Sequence, residues 1–218
     1  MAGVITVSEP FLILPFTGLS PRQFAKPVTA PRRAGVDTTR RGRPWSLPLE
    51  DRMLLVTAYW RTYLTIRQLA PLFGISKSAA DRIIDHHGLL LAPQPRRRFA
   101  RDTRRDVAVG RPLPGNRNDF KAWEQSGAEA AVGRTMTIAD GGYPGTGLVM
   151  PHRRRRGEEL PDRKQERNRS HKQIRARVEH AFARMKTWKI LRDCRLKGDG
   201  VHHAMLGIAH LHNLNLAG

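Results

Sequence analysis

Thr65-Ile66-Arg67-Gln68-Leu69-Ala70-Pro71-Leu72-Phe73-Gly74-Ile75-Ser76-Lys77-Ser78-Ala79-Ala80-Asp81-Arg82-Ile83-Ile84 decides the architecture of the first half of the chain. Ala70 is small enough to let two helices approach closely. Gly74 sits where the turn leaves the first helix and a positive φ is cheapest. Ile75 plugs the turn, and Leu69, Phe73, Ala80 and Ile83 supply the inward faces of both helices. Ser76 is placed to N-cap the second helix. This is helix-turn-helix spacing, in which the second helix directs its first residues into the major groove of DNA. Lys77, Ser78, Asp81 and Arg82 are then the exposed candidates for base or phosphate contact. A plain helical hairpin that binds nothing shares the gross pattern; the basic neighbourhood favours DNA. Pro71 is a blemish, tolerable only near the helix's first turn or with a kink.

That neighbourhood extends to the whole chain. The 218 residues carry 39 Lys and Arg against 19 acids, a formal net charge of +20. A folded protein with that balance repels itself and calls for a polyanionic partner, nucleic acid first, because every neutralised phosphate releases counterions. Charge alone does not separate DNA from RNA, or an enzyme from a packaging protein. Cys194 is the only cysteine, so an internal disulfide is excluded; that suits a reducing cytosol. The early apolar run Phe11–Phe16 is too short for a signal or membrane segment. The expectation is a soluble, cytoplasmic protein with no membrane partner.

Four segments follow from texture. Residues 1–45 read as an irregular basic arm, broken by Pro10, Pro15, Pro21, Pro27, Pro31 and Pro44, with one short helix starting at Ser20-Pro21. Residues 46–92 form the helix-turn-helix domain, opened by a helix through Leu49, Met53, Leu54 and Tyr59. Residues 93–105, with Pro93-Gln94-Pro95-Arg96-Arg97-Arg98, make a stiff basic linker. Residues 106–218 are mixed: strands at Val107–Val109 and Met136–Ala139, a helical stretch over Asp119–Ser126, and a polar Arg-rich loop over Pro151–Ser170. A long helix from about Lys172 to Arg192 and a last one from about Val201 to Leu216 complete it. No repeat at solenoid periods is present.

Within the last segment, Thr137-Ile138-Ala139-Asp140-Gly141-Gly142-Tyr143 puts an acid at the end of a short apolar strand, before a Gly-rich turn. Functional groups emerge at such strand ends in open α/β sheets. On the long helix, Ile174, Val178, Ala181, Met185 and Trp188 form the expected core stripe. Arg175, Glu179, Phe182 and Lys186 share an adjacent face, so Glu179 lies between two cations. Taken singly, Asp140 suits an ordinary turn and Glu179 an ordinary surface ion pair.

Taken together, these motifs resemble a known family. Ala139-Asp140-Gly141-Gly142-Tyr143 looks like the second-aspartate motif of bacterial insertion-sequence DDE transposases, and Arg175, Glu179 and Lys186 match their Arg-x3-Glu-x6-Lys signature. Pro112-Leu113-Pro114-Gly115-Asn116-Arg117-Asn118-Asp119 and Leu211-His212-Asn213-Leu214 resemble the Harbinger-related branch. The resemblance covers roughly residues 46–216. It implies an RNase H-like core holding two Mg²⁺ (or Mn²⁺) through Asp, Asp and Glu, for in-line cleavage and joining of double-stranded DNA at element ends. Asp140 and Glu179 would be metal ligands here, with homo-oligomerisation left open. The resemblance also implies a bacterial, nucleoid-associated protein. The expected fold class is therefore α/β: a helical helix-turn-helix domain followed by a truncated RNase H-like core.

The core is called truncated because one element is missing. The family has a first strand ending in Asp soon after the basic linker. Here Phe99–Asp106 runs almost directly into Val107, with no apolar strand before Asp102 or Asp106. Asp119 matches a family position outside the triad and ranks as accessory or alternative. Two of three ligands should bind Mg²⁺ poorly and catalyse little. An internally deleted copy explains this best, and a divergent enzyme recruiting another acid stays open. Arg153, Arg154, Arg155 and Arg156 are candidates for phosphate contact. His202, His203, His210 and His212 lack ligand spacing, and Gly145-Thr146-Gly147 is too short for a phosphate loop. The functions in play are a metal-dependent transposase, a non-catalytic DNA-binding remnant and, third, an RNA-binding protein.

Overall fold

The computed structural model describes residues 4–33, 35, 44–92, 107–133 and 136–216. The basic linker with Asp102 and Asp106, and the Thr39–Arg43 run of the arm, lie outside the described residues. A 3-10 turn at Pro10–Leu12 leads into α1 (Ile13–Thr17), α2 (Pro21–Arg33), α3 (Leu49–Arg61), α4 (Ile66–Leu72) and α5 (Lys77–Leu91). Then come α6 (Asp119–Gln125), α7 (Ala128–Val132), α8 (Asp162–Met185), α9 (Lys189–Arg192) and α10 (Gly200–Leu216). These divide into two compact units, Met1–Ala108 with Met185–Gly218, and Val109–Arg184.

The first unit is built around α3. Eleven of its thirteen residues are buried, so it is a core helix apolar on most sides and not an amphipathic surface helix. It packs against α1, α2, α4, α5 and α9, while α10 lies on α5. Trp60, at the end of α3, is 2% exposed. Its ring is reached from two directions by glycines. A Cβ added at Gly88 of α5 would lie 3.5 Å from Trp60 Cζ2, and one added at Gly207 of α10 would lie 2.6 Å from Cζ3. Only a missing side chain lets α10 come that close.

A buried cation lies on the same helix. Arg52 is 1% exposed and its Nη1 is 2.8 Å from Nε2 of the fully buried His87. A guanidinium can only donate. Nε2 therefore accepts, and the proton sits on Nδ1, which faces Ile83 O at 3.2 Å. The guanidinium also stands 5.4 Å from the ring centroid of Trp45.

The N-terminal arm is not irregular where it is described. Ile13, Leu19, Phe24 and Val28 are buried, and Asp51 of α3 accepts from Val7 N at 2.7 Å. Pro10 opens the 3-10 turn and Pro21, as the Ser20-Pro21 signal indicates, opens α2, where a missing N–H costs nothing; Pro27 and Pro31 lie inside α2, which continues through them to Arg33. Ser20 and Gln23 cap α2 reciprocally, Ser20 N to Gln23 Oε1 at 2.9 Å and Gln23 N to Ser20 Oγ at 3.3 Å.

The second unit departs furthest from expectation. Among the described residues it has no strand, only an isolated parallel bridge between Ile138 and Val149, with Ala139 N donating to Val149 O at 2.9 Å. Val107–Val109 forms no strand. Val107 is held instead by the Asn213 amide of α10, which accepts from Val107 N at 2.7 Å and donates to Val107 O at 2.9 Å. Strands need partners on their edges, and the described chain supplies none. Accordingly no described hydrophobic residue between 109 and 184 is buried. The expected stripe on the long helix splits: Ile174 and Val178 are about half exposed, whereas Met185 and Trp188 are buried in the first unit. The helix also starts ten residues early, at Asp162. Its first turns are Arg, Lys, Glu and Gln, good helix formers without an apolar period to announce them.

Gly207→Val should lower the stability of the folded chain by about 1–3 kcal/mol through overpacking against Trp60, whereas Gly88→Ala should be neutral or stabilising by up to ~1 kcal/mol. Denaturant unfolding of both variants checks the contrast. Burial also pushes the His210 imidazole below its ordinary 6.5. The unfolded chain then takes the proton first, so the stability contributed by neutral His210 is complete above pH 6.5 and is lost as pH falls through the lowered value. His210→Leu should flatten that part of the stability-against-pH curve.

Candidate functional site

In the first unit the helix-turn-helix is assembled by local bonds. Thr65 and Gln68 form a capping box at the start of α4. Gly74 turns the chain at φ 66°, Ile75 N returns to Ala70 O at 3.1 Å, and Ser76 Oγ accepts from Ala79 N at 3.2 Å to start α5. Leu69, Ala70, Phe73, Ala80 and Ile83 are all buried. Pro71 falls in the last turn of α4, which tightens there, Phe73 N bonding Ala70 O. Lys77, Ser78 and Arg82 are exposed on the first turns of α5. Asp81 is half-buried and ion-paired with Lys77, so Ser78 and Arg82 are the side chains most available to a groove.

In the second unit, acids gather around Gly142. Asp140 Oδ1 accepts from Gly142 N at 3.0 Å, an Asx-type turn. A Cβ at Gly142 would lie 2.7 Å from Asp119 Oδ2 and 3.1 Å from Asp140 Oδ1. A glycine here is therefore what allows the two carboxylates to close over one Cα. Asp119 is placed by α6, whose N-cap Asn118 accepts from Lys121 N. Burial, then Asp119, then Asp140, raise the pKa of the neighbouring Tyr143 phenol.

Glu179 joins through a cation. Arg175 Nη2 is 2.9 Å from Glu179 Oε1 and 3.6 Å from Asp140 Oδ2. Behind them, His171, 8% exposed, points Nε2 at Ala139 O (2.9 Å) and Val149 O (3.3 Å). Both are acceptors, so Nε2 carries the proton. Asn168 brackets His152 through both backbone groups. Arg153 donates to Gly141 O at 2.7 Å, while Arg154, Arg155 and Arg156 are exposed.

The side chains of α8 that make these contacts are Asn168, His171, Arg175 and Glu179, running backward from Glu179 at helical spacing. The sequence face ran forward. Phe182 is about half exposed, and Lys186 lies beyond the last residue of α8, in the first unit. His171 and Asn168 could have been found by stepping back from Arg175 at i−4 and i−7. Among the described residues no three His, Cys, Asp or Glu side chains converge as metal ligands. The acids present do not by themselves fit a two-metal centre, since Arg175 already lies between Asp140 and Glu179.

His171→Ala should free the Asp140 turn while leaving the helix-turn-helix intact. Losing a buried donor to two carbonyls costs about 1–3 kcal/mol locally, so amide exchange at Ala139 and Val149 should quicken while that of Ala80 and Ile83 stays unchanged.

Comparison with known proteins agrees with both halves. A family described as DDE superfamily endonuclease matches residues 101–213, and one described as helix-turn-helix of DDE superfamily endonuclease matches residues 45–93. A protein of Streptomyces albus G, assigned as a transposase for insertion sequence element IS112, is 66% identical over 256 positions covering 100% of both chains. Since this chain has 218 residues, at least 38 of those 256 positions hold no residue of it. No solved structure matches. No helix among the described residues is long and apolar enough to cross a membrane. The chain belongs to the DDE superfamily endonucleases, as a bacterial insertion-sequence transposase with that family's helix-turn-helix.

Proposed function

We propose that this protein binds double-stranded DNA of element ends, and that its DDE unit is an RNase H-like core lacking the first carboxylate-bearing strand, so that strand cleavage and joining are weak or lost. The observation that carries this is the alignment with the IS112 relative, in which at least 38 of 256 positions hold no residue of this chain although both chains are covered in full. Gathered in one place, that many positions would be enough for two strands and their hairpin at ordinary strand lengths. The absence of buried apolar side chains between 109 and 184, among the described residues, supports the same reading. A sheet without its central strand loses the surface its helices would cover.

In this reading Ser78 and Arg82, with Lys77 and Asp81, enter the major groove. Arg153–Arg156, Arg175 and Lys186 contact phosphates. DDE endonucleases use divalent metal ions to activate the attacking oxygen and stabilise the leaving one. In this chain Asp140 and Glu179 are the acids that would hold Mg²⁺ or Mn²⁺, weakly. A second reading has one observation in its favour: Asp119 faces Asp140 across Gly142 and could serve as the replacement acid.

The full chain should retard a duplex carrying the element end, with Arg82→Ala weakening that binding about 10- to 100-fold and relaxing its sequence preference. With Mg²⁺ or Mn²⁺ it should release no cleaved or joined product above background. Turnover that vanishes in Glu179→Gln would sink the inactive reading. If that turnover also vanishes in Asp119→Asn, the replacement-acid reading stands instead. Preference for RNA in competition would remove both.

A further inference from the structure

Outside the recognition helix, the first unit gathers three cations on one exposed aromatic ring. Tyr63, between α3 and α4, is 44% exposed. Lys189 Nζ lies 4.6 Å from its ring centroid, Arg192 Cζ 5.2 Å and Arg195 Cζ 5.9 Å. Arg195 Nη1 also donates to Tyr63 O at 3.2 Å. These cations come from the far end of the sequence. They are brought here by α9, which is anchored on α3 through the buried Trp188 and Ile190; Arg61 of α3 stands 4.9 Å from the Trp188 ring centroid. Arg192 Nε is 3.5 Å from Asp193. Among the described residues Lys189 and Arg195 form no ion pair. Like charges crowded on one ring repel, and a polyanion relieves that repulsion.

Position identifies the polyanion. Tyr63 stands two residues before Thr65, the N-cap of α4, and in a docked helix-turn-helix the first helix crosses the DNA backbone. Tyr59, one turn earlier on α3, ties this patch to the recognition helix. Its phenol pKa is raised by burial first, with Asp81 and Asp85 of α5 raising it and Arg195 lowering it. Geometry agrees, since α3 packs against both α9, which carries Lys189 and Arg192, and the recognition helix α5.

We propose that Lys189, Arg192 and Arg195, held on Tyr63, form a phosphate-binding rim for the backbone of the same duplex whose major groove receives α5. The rim rests on the DNA-binding reading above and adds to it a contribution from the C-terminal part of the segment matched by the DDE family, which packs in the first unit. The aromatic platform restrains three long side chains before DNA arrives, which lowers the ordering cost of gripping phosphates. It carries no sequence information, only affinity and register.

The test is fluorescence anisotropy of the full chain with an element-end duplex and a scrambled duplex, titrated between about 50 and 200 mM salt. Replacing Lys189, Arg192 and Arg195 together by Gln should weaken both duplexes about 10- to 1000-fold and make log K against log salt shallower by about 2–3, leaving their ratio unchanged. Arg192→Gln alone, the mildest change, should reduce the slope by about 1. Arg82→Ala should lower the ratio instead. Arg22→Gln with Lys26→Gln, exposed cations of α2, should leave the slope unchanged. An unaltered slope in the triple and Arg192 variants, while Arg82→Ala still lowers the ratio, overturns the rim alone. An equal drop in the α2 control reduces it to diffuse charge and also overturns it. If the unaltered chain shows no preference for duplex DNA, the DNA-binding reading falls and the rim with it.

Discussion

The packing of one indole governs the first unit. Trp60 ends α3, and its ring is reached by Gly88 from α5 and by Gly207 from α10. Through those two contacts, the helix that presents residues to DNA and the last helix of the chain share a core with α3. Residues more than a hundred positions apart thereby become neighbours. The buried Arg52–His87 pair adds a geometric constraint to this: one donor, one lone pair, and a fixed tautomer between α3 and α5. An ion in such a place contributes little net stability, because desolvation offsets most of its attraction. What it does contribute is an orientation that few alternative packings of the same helices could satisfy.

The second unit is organised by polar contacts rather than by a core. A histidine holds two carbonyls, an asparagine brackets one residue, and an arginine spans two carboxylates. Such bonds position side chains well when they are buried. The His171 contacts are buried, but the Arg175 ion pairs are exposed, screened and individually weak. The arrangement around Asp140 is thus held by polar contacts without a described apolar layer beneath it.

How much of this was legible depended on whether the signal was local. The Ala70–Gly74–Ile75–Ser76 spacing encodes short-range bonds, and the helix-turn-helix follows from it residue by residue. Asp140 and Glu179 were legible as motifs. Their linkage through Arg175 was legible only as proximity on one helix. In the arm, the helix signalled at Ser20-Pro21 is present, but it continues through Pro27 and Pro31 to Arg33, and Pro10 opens a helical turn, so prolines there read as breakers where the fold tolerates them. The start of α8 was missed because Asp162–Arg169 lacks any apolar residue. The strands at 107–109 and 136–139 failed for a different reason. A strand is defined by its neighbours, and an apolar triplet carries no information about whether those neighbours exist. The cations at 189, 192 and 195 gave no local sign of meeting Tyr63, since only the tertiary fold brings them there.

The Asn213 amide clasping both backbone groups of Val107 has a consequence in polymer terms. It ties the segment leading into the second unit to the helix that follows that unit, so residues 109–184 are an excursion of the chain between two tied points of the first unit. Closure entropy grows only with the logarithm of loop length. Shortening such a loop by a few tens of residues therefore shifts the first unit's stability by only a few tenths of a kcal/mol. The first unit is therefore nearly indifferent to the length of the chain between Val107 and Asn213, and insertions or deletions there would alter the second unit while leaving the helix-turn-helix folded.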